Sequence, residues 1–351
     1  LGFAGNHHIR SPLLDACSRR VTVFNNAFTN LPLTLPAHSA MFTSKFPSEL
    51  DVELNAEPLS REWDTIPEIL SRFGFLTAGF PRAVLTFPRG IEQGFHFFDG
   101  RSKHGSRGDS VPMQRVRLMK ATEKFESKEI KRIGNVVKWL RERERNGDNY
   151  FLWLHVFEPH LPYAPEKPDR YADFDLSCES VDETIRNLGP TWHVPGQSFT
   201  SQDLASSRTL YRNEVLWTDR LLQPIINHIV CESEHAPFLM ITSDHGECLY
   251  DSDNYFGHGH QVTKEELHVP FMAGVLNKGM ASNGLIDTEP VQSVDVAPTI
   301  LSATGIEYPN GMRGRNALKP ADKKPVIPFS CGYPPKFVGA LNSQYKIVWS
   351  A

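Results

Sequence analysis

Short apolar runs alternate with amphipathic stretches along this chain, the pattern of strands and helices in turn. Residues 21–28, 75–80, 150–157, 237–243 and 269–276 read as strands. The runs YFLWLHVF and PFLMITS are too uniformly apolar for a half-exposed strand, so both are expected to be buried. Residues 65–73 read as a helix stopped by Gly74. Residues 127–145 form a charged amphipathic helix that stops at Asn146-Gly147, and its charges read as a solvated face. Residues 202–230 are helical in pattern, and residues 295–304 form a helix closed by Gly305. This alternation predicts an α/β fold with helices on both faces of a mostly parallel central sheet. The last runs, 326–330, 337–341 and 345–350, read as antiparallel strands of a smaller subdomain. The expected division is a catalytic α/β unit over 1–320 and the start of a small β unit over 321–351. The Pro-, Asp- and Ser-rich stretch 163–201 reads as a long surface excursion near the mouth of a site.

Composition narrows the classes. The chain has 351 residues, 40% hydrophobic and 22% charged, enough for a sizeable core. Its net charge of -4 disfavours a non-specific nucleic-acid partner, which calls for a basic surface. No apolar run approaches the roughly 20 residues that span a bilayer. Cys17, Cys178, Cys231, Cys248 and Cys331 lie without CxxC spacing, which argues against a disulfide framework or a zinc ribbon. The first residues lack the charged start and apolar middle of a signal peptide, and there is no initial Met, so the sequence is expected to be an internal piece.

Candidate chemistry sits just past the strands. Ser243-Asp244-His245-Gly246-Glu247 follows an apolar strand directly. Ligands gather outside the carboxyl ends of strands in an open α/β sheet, and Asp with His there can hold a divalent metal. In Thr34-Leu35-Pro36-Ala37-His38, Pro36 suits a first helical turn. That puts Thr34 at a helix N-terminus, where free N–H groups and the dipole favour an anionic sulfuryl or phosphoryl group. Pro159-His160-Leu161-Pro162-Tyr163 lies past another buried strand, and His258-Gly259-His260 precedes Val269-Pro270. Each histidine alone is more often an ordinary hydrogen-bonded residue than a catalytic one.

In this order the segments resemble the sulfatase family of the alkaline phosphatase superfamily. That family shows a nucleophile in a C/S/T-x-P-x-R/H pattern, then P-H-x-P-Y, S-D-H-G-E, H-G, a V-P strand and a D-x-x-P-T-L helix. The last is matched here by residues 295–301, and Gly311-Met312-Arg313-Gly314-Arg315 resembles the family's M-x-G-R turn. The resemblance implies an alkaline phosphatase-like α/β/α sandwich and a metal-dependent hydrolase of sulfate or phosphate esters. It makes Thr34 a metal-touching nucleophile and Asp244 and His245 metal ligands. His160 and His258 would act on the substrate anion or leaving group, with His38 and Lys45 helping to bind that anion. His155 and His260 remain supporting residues. The implied cofactor is a divalent ion of unspecified identity, the partner a small-molecule, glycan or lipid ester, and an extracytoplasmic location is favoured.

Two departures stand out. The family's Asp-rich first strand should precede Leu1-Gly2-Phe3-Ala4-Gly5, so at least one Asp ligand is expected to be absent and metal binding poor. The nucleophile is Thr, whereas a formylglycine sulfatase needs Cys or Ser. Thr nucleophiles occur in related phosphodiesterases and headgroup phosphotransferases, and a non-catalytic binding protein with the same fold is the reading from a different class.

Overall fold

The computed structural model describes residues 1–6, 9–86, 88–100, 123–161, 163, 199–251, 256–276, 284–322, 325–334 and 336–350. Most of the expected excursion over 163–201 lies outside them. The strands in chain order are β1 (Thr22–Phe24), β2 (Ala27–Phe28), β3 (Leu76–Phe80), β4 (Phe97–Phe98), β5 (Tyr150–Leu154), β6 (Phe238–Thr242) and β7 (Cys248–Leu249). They continue with β8 (Phe256–Gly257), β9 (Phe271–Val275), β10 (Ile286–Asp287), β11 (Val291–Gln292), β12 (Ile327–Ser330), β13 (Phe337–Leu341) and β14 (Lys346–Ser350). The helices are α1 (Pro12–Ser18), α2 (Thr34–Thr43), α3 (Pro47–Leu50), α4 (Ile66–Arg72), α5 (Glu123–Asn146), α6 (Ser201–Asn227), α7 (Lys264–Leu267) and α8 (Val296–Ala303).

Two sheets form the centre. One has the order β10-β1-β9-β6, with β9 antiparallel to β1 and β6. The other is the parallel set β4-β3-β5. Successive side chains of a strand alternate between faces. Phe151 and Trp153 of β5 pack into the same cluster as Phe238 and Met240 of β6. Leu152 and Leu154 join Leu239 and Ile241 in the cluster on the opposite face. The two sheets therefore share one layer between two cores. Among the described residues β5 and β6 each pair on one edge only.

The run expected as one strand over 21–28 is broken in two. At the break, Asn25 N–H donates to the Asp287 carbonyl at 3.0 Å and Asn26 Nδ2 to the Thr288 carbonyl at 2.7 Å. The Asn26 side chain competes with the ladder in this way, so β1 joins the main sheet and β2 pairs instead with β11. The tail is the expected antiparallel sheet, β12-β13-β14.

Helix α2 positions the site. All ten of its residues are buried, and Leu35, Met41 and Phe42 lie in one of the main cores. Its exit turns on Ser44, whose backbone is left-handed. On the other face of the layer, α5 and α6 cover β5 and β6 through Ile133, Val136, Leu221 and Ile225. Arg132 of α5 crosses to the strand ends, donating from Nη1 to the Phe80 carbonyl at 3.1 Å and the His155 carbonyl at 3.2 Å.

Candidate active site

Three segments meet where β5, β6 and α2 come together. His155 follows β5, Asp244 and His245 follow β6, and Thr34 and His38 lie one turn apart on α2. Residues i and i+4 share a helix face, so Thr34 and His38 lie on the same side of α2. His38 Nδ1–H donates to the Thr34 carbonyl at 2.8 Å, and the same nitrogen is 3.8 Å from Asp244 Oδ2. The His38 ring packs edge-on against His155, with centroids 4.9 Å apart, and against Trp153 at 5.5 Å. One ligand atom from each of His38, His155 and Asp244 falls within 4.8 Å of the others.

A second group of histidines lies on the other side of Asp244. His245 Nδ1–H donates to the Gly246 carbonyl at 2.8 Å, which leaves the lone pair on Nε2. That atom is buried without a hydrogen-bond partner, 3.5 Å from Asp244 Oδ2. The His245 and His258 rings stack with centroids 3.9 Å apart, and His160 is 5.0 Å from His258. His258 Nδ1 lies 3.4 Å from Glu247 Oε2. The start of α2 reaches this group through Leu33. Gly259 has φ 88°, and a Cβ there would meet Leu33 Cδ2 at 2.6 Å.

Burial sets the charge states. It pushes His155 and His160 each down to about 3, and it lowers His38 and His258 as well. Burial acts to raise the Asp244 carboxyl, but the imidazoles around it, His245 first, draw it well below the usual range. His38, His155, His160 and His258 are therefore uncharged at neutral pH, with a carboxylate between them. Such a group accepts a cation, because neutral imidazole and carboxylate are ligand forms. The buried Nε2 of His245 beside Asp244 fits the same role.

Not every expected site residue is gathered here. Lys45 lies two positions beyond the far end of α2, and helix rise from Thr34 to Thr43 alone spans roughly 14 Å. Its Nζ bonds the Gly311 carbonyl and sits 5.5 Å over the Trp63 ring. It is not brought to the cluster. His38, expected on the substrate anion, instead faces Asp244 and His155, where an uncharged ring suits a cation better. The first turn of α2 also offers fewer free N–H groups than its position suggested. Leu35 N–H is taken by Asn55 Oδ1 at 2.8 Å, and Pro36 has none to give. His260 stacks on Tyr333 at 4.6 Å.

Two contributors go beyond the sequence expectation. The resemblance makes His155 only a supporting residue, although its position right after an apolar strand is an available signal. Glu266 carried no signal. Its carboxylate accepts Gly259 N–H at 2.8 Å while its carbonyl accepts Gly246 N–H at 2.8 Å. It thus ties the two histidine loops together.

The Sulfatase family model matches residues 1–306. The ulvan-active sulfatase of Formosa agariphila is 23% identical, covering 95% of this chain and 66% of its own length. Human arylsulfatase K is 22% identical, covering 90% of this chain and 62% of its own. The chain thus spans just under two thirds of the length of these relatives. Among solved structures, the phosphonate monoester hydrolase of Agrobacterium radiobacter superposes with a TM-score of 0.74 at 16% identity, over 100% of this chain and 84% of its own. The phosphonate monoester hydrolase from Silicibacter pomeroyi gives 0.71 at 16% identity, over 98% and 82%. These likenesses show the alkaline phosphatase-like α/β fold.

Proposed function

We propose, for a chain that belongs to the sulfatase family, that it hydrolyses a sulfate or phosphate ester with the Thr34 hydroxyl as nucleophile. The observation that supports this reading is on α2: His38, one turn from Thr34 and bonded to the Thr34 main-chain carbonyl, lies 3.8 Å from the Asp244 carboxylate at the end of β6. The relatives are named for sulfate esters and the structural neighbours for phosphonate monoesters, so both ester classes are candidate substrates. Glycan sulfates are the class the ulvan-active relative's name points to.

Thr34 acts as a hydroxyl. Its Cβ bears a methyl, so oxidation there would give a ketone and not the aldehyde that a formylglycine enzyme requires. Its oxygen attacks sulfur or phosphorus, and water then releases the anion. A divalent ion held at Asp244, with His245 or with His38 and His155, would supply positive charge to the ester oxygens. His160 donates Nδ1–H to the Leu161 carbonyl at 2.6 Å, so its Nε2 carries the lone pair. An ester anion beside it raises its affinity for a proton, and that nitrogen then takes up a proton and passes it to the leaving oxygen. His258, beside Glu247 and His160, contacts the anion from the other side. An extracytoplasmic location accords with the family, and no helix among the described residues is long and apolar enough to cross a membrane.

The test is turnover of p-nitrophenyl sulfate, p-nitrophenyl phosphate and bis-p-nitrophenyl phosphate in the presence of divalent ions. At least one should be hydrolysed, and Thr34→Ala should lower kcat by more than about 1000-fold. Thr34→Ala retaining more than a tenth of the activity removes Thr34 from the nucleophile role.

A further inference from the structure

We propose that Leu33 is a positioning residue that locks the start of α2, and with it Thr34, to the His258 loop and to the first turn of the small sheet β12-β13-β14. What the lock is used for rests on the hydrolase reading. The lock itself stands on its own geometry.

Leu33 stands where an extended chain becomes a helix. Its backbone is extended, at φ -138° and ψ 145°, and its carbonyl accepts the Ala37 N–H at 3.0 Å, a bond of the first turn of α2. The placement of that turn, and of Thr34 on it, therefore follows from where Leu33 is held. Leu33 is 1% exposed, yet among the described residues it belongs to none of the apolar clusters. It is buried against backbone instead. A Cβ at Gly332 would lie 2.4 Å from Leu33 Cδ1, and one at Gly259 would lie 2.6 Å from Leu33 Cδ2. Each methyl of the leucine fork thus rests on one glycine, and a side chain at either place would collide with it.

The two glycines come from distant parts of the chain and are bonded to each other. Gly332, in the turn between β12 and β13, donates its N–H to the Gly259 carbonyl at 3.1 Å, and Tyr333 N–H joins it at 3.2 Å. Gly259 directly follows His258, whose ring faces His245 at 3.9 Å and His160 at 5.0 Å. A second tie lies three residues before Leu33. Ser330 N–H donates to the Asn30 carbonyl at 3.0 Å, and Asn30 Nδ2 donates to the Pro328 carbonyl at 2.8 Å. The small sheet therefore grips the segment leading into α2 at two points, and at one of them it also holds the His258 loop. Thr34 and His258 are proposed to attack the ester and to contact its anion. Each is the chain neighbour of a part of this lock, so the lock sets their separation. A misplacement of about 1 Å between reacting groups can cost roughly 100-fold in rate.

Leu33→Ala removes the fork and frees the slot. With the p-nitrophenyl ester that the wild type hydrolyses, its kcat should fall by more than about 10-fold while KM stays within about threefold. Leu33→Val is the milder truncation and draws both methyls back from the glycines, so its kcat should fall by at least about threefold. Leu70→Ala makes the same truncation in α4, inside a main core. Its kcat should stay within about threefold of wild type at a temperature where every variant is folded. Hydrogen exchange read by mass spectrometry tests the lock without any substrate. The Gly259, Gly332 and Tyr333 amides should exchange at least about tenfold faster in Leu33→Ala, and at the wild-type rate in Leu70→Ala. Wild-type kcat in Leu33→Ala (or in Leu33→Val, should the alanine variant not fold), an equal loss in Leu70→Ala, or unchanged exchange at those amides overturns the proposal. Faster exchange in a protein whose wild type hydrolyses none of the three esters would sink the hydrolase reading and leave the lock standing.

Discussion

Replacing Glu129 by Gln should destabilise the protein by about 3 kcal/mol, the low end of the 3–5 kcal/mol for breaking a buried ion pair. Glu129 is 1% exposed and Arg132 is 7% exposed. The carboxylate accepts from Arg132 Nε at 3.0 Å and Nη2 at 2.8 Å, and it also bonds Arg82. Burial pushes Arg132 down to about 10, so it is still charged at pH 7. Gln keeps the shape and can accept one hydrogen bond, but it leaves Arg132 charged beside Arg82 with no counter-charge from Glu129. The low end is therefore expected. At ~2.1 cal/mol/K per residue, 351 residues give ~0.7 kcal/mol per degree, so Tm should fall by about 4 °C. Differential scanning calorimetry of wild type and Glu129→Gln at pH 7 reads this. A second variant, Glu129→Gln with Arg132→Met, should lie above the single mutant, because no charge at 132 then remains buried. A fall below 1 °C in the single mutant, or a double mutant less stable than the single, would refute the reasoning. The consequence also reaches the site, because Arg132 holds the His155 carbonyl.

Two further perturbations test other parts of the site's frame. Burial raises Asp295 to about 6, although Gln292 N–H and Arg315 N–H bond its oxygens at 2.9 and 2.8 Å. A carboxyl raised in the folded state contributes stability that is fully present below its unfolded pKa near 4 and is lost as pH rises through about 6. The stability of wild type minus Asp295→Asn should therefore fall by about 2 kcal/mol between pH 4 and pH 7. Urea denaturation across that range measures it, and a flat difference contradicts the buried-acid account. Gly246→Ala would drive its Cβ onto the Glu265 carbonyl, which is backbone and cannot swing aside. Overpacking of this kind costs about 1–3 kcal/mol. The loop carrying Asp244 and His245 should shift, lowering both Tm and turnover with divalent ions present, and a variant normal in both would show that the loop has slack.

Much of this arrangement was legible because local chemistry and tertiary position agree. The runs around Tyr150–Leu154 and Phe238–Thr242 are apolar on both faces because each strand feeds a core on either side. The residues after them therefore had to lie at the layer's edge, which is why Asp244, His245 and His160 could be singled out. The break at Asn25-Asn26 was not legible, since it depends on carbonyls of Asp287 and Thr288 more than 260 positions away. The role of α2's first turn was misjudged for a similar reason. A helix start reads as a set of free N–H groups, yet Asn55, twenty residues on, takes one of them. His155 was the deepest gap. Whether a histidine past a strand is a ligand or a packed ring depends on which segments approach it. His38 and Asp244 arrive from chain distances of 117 and 89 residues, and no periodicity records that meeting.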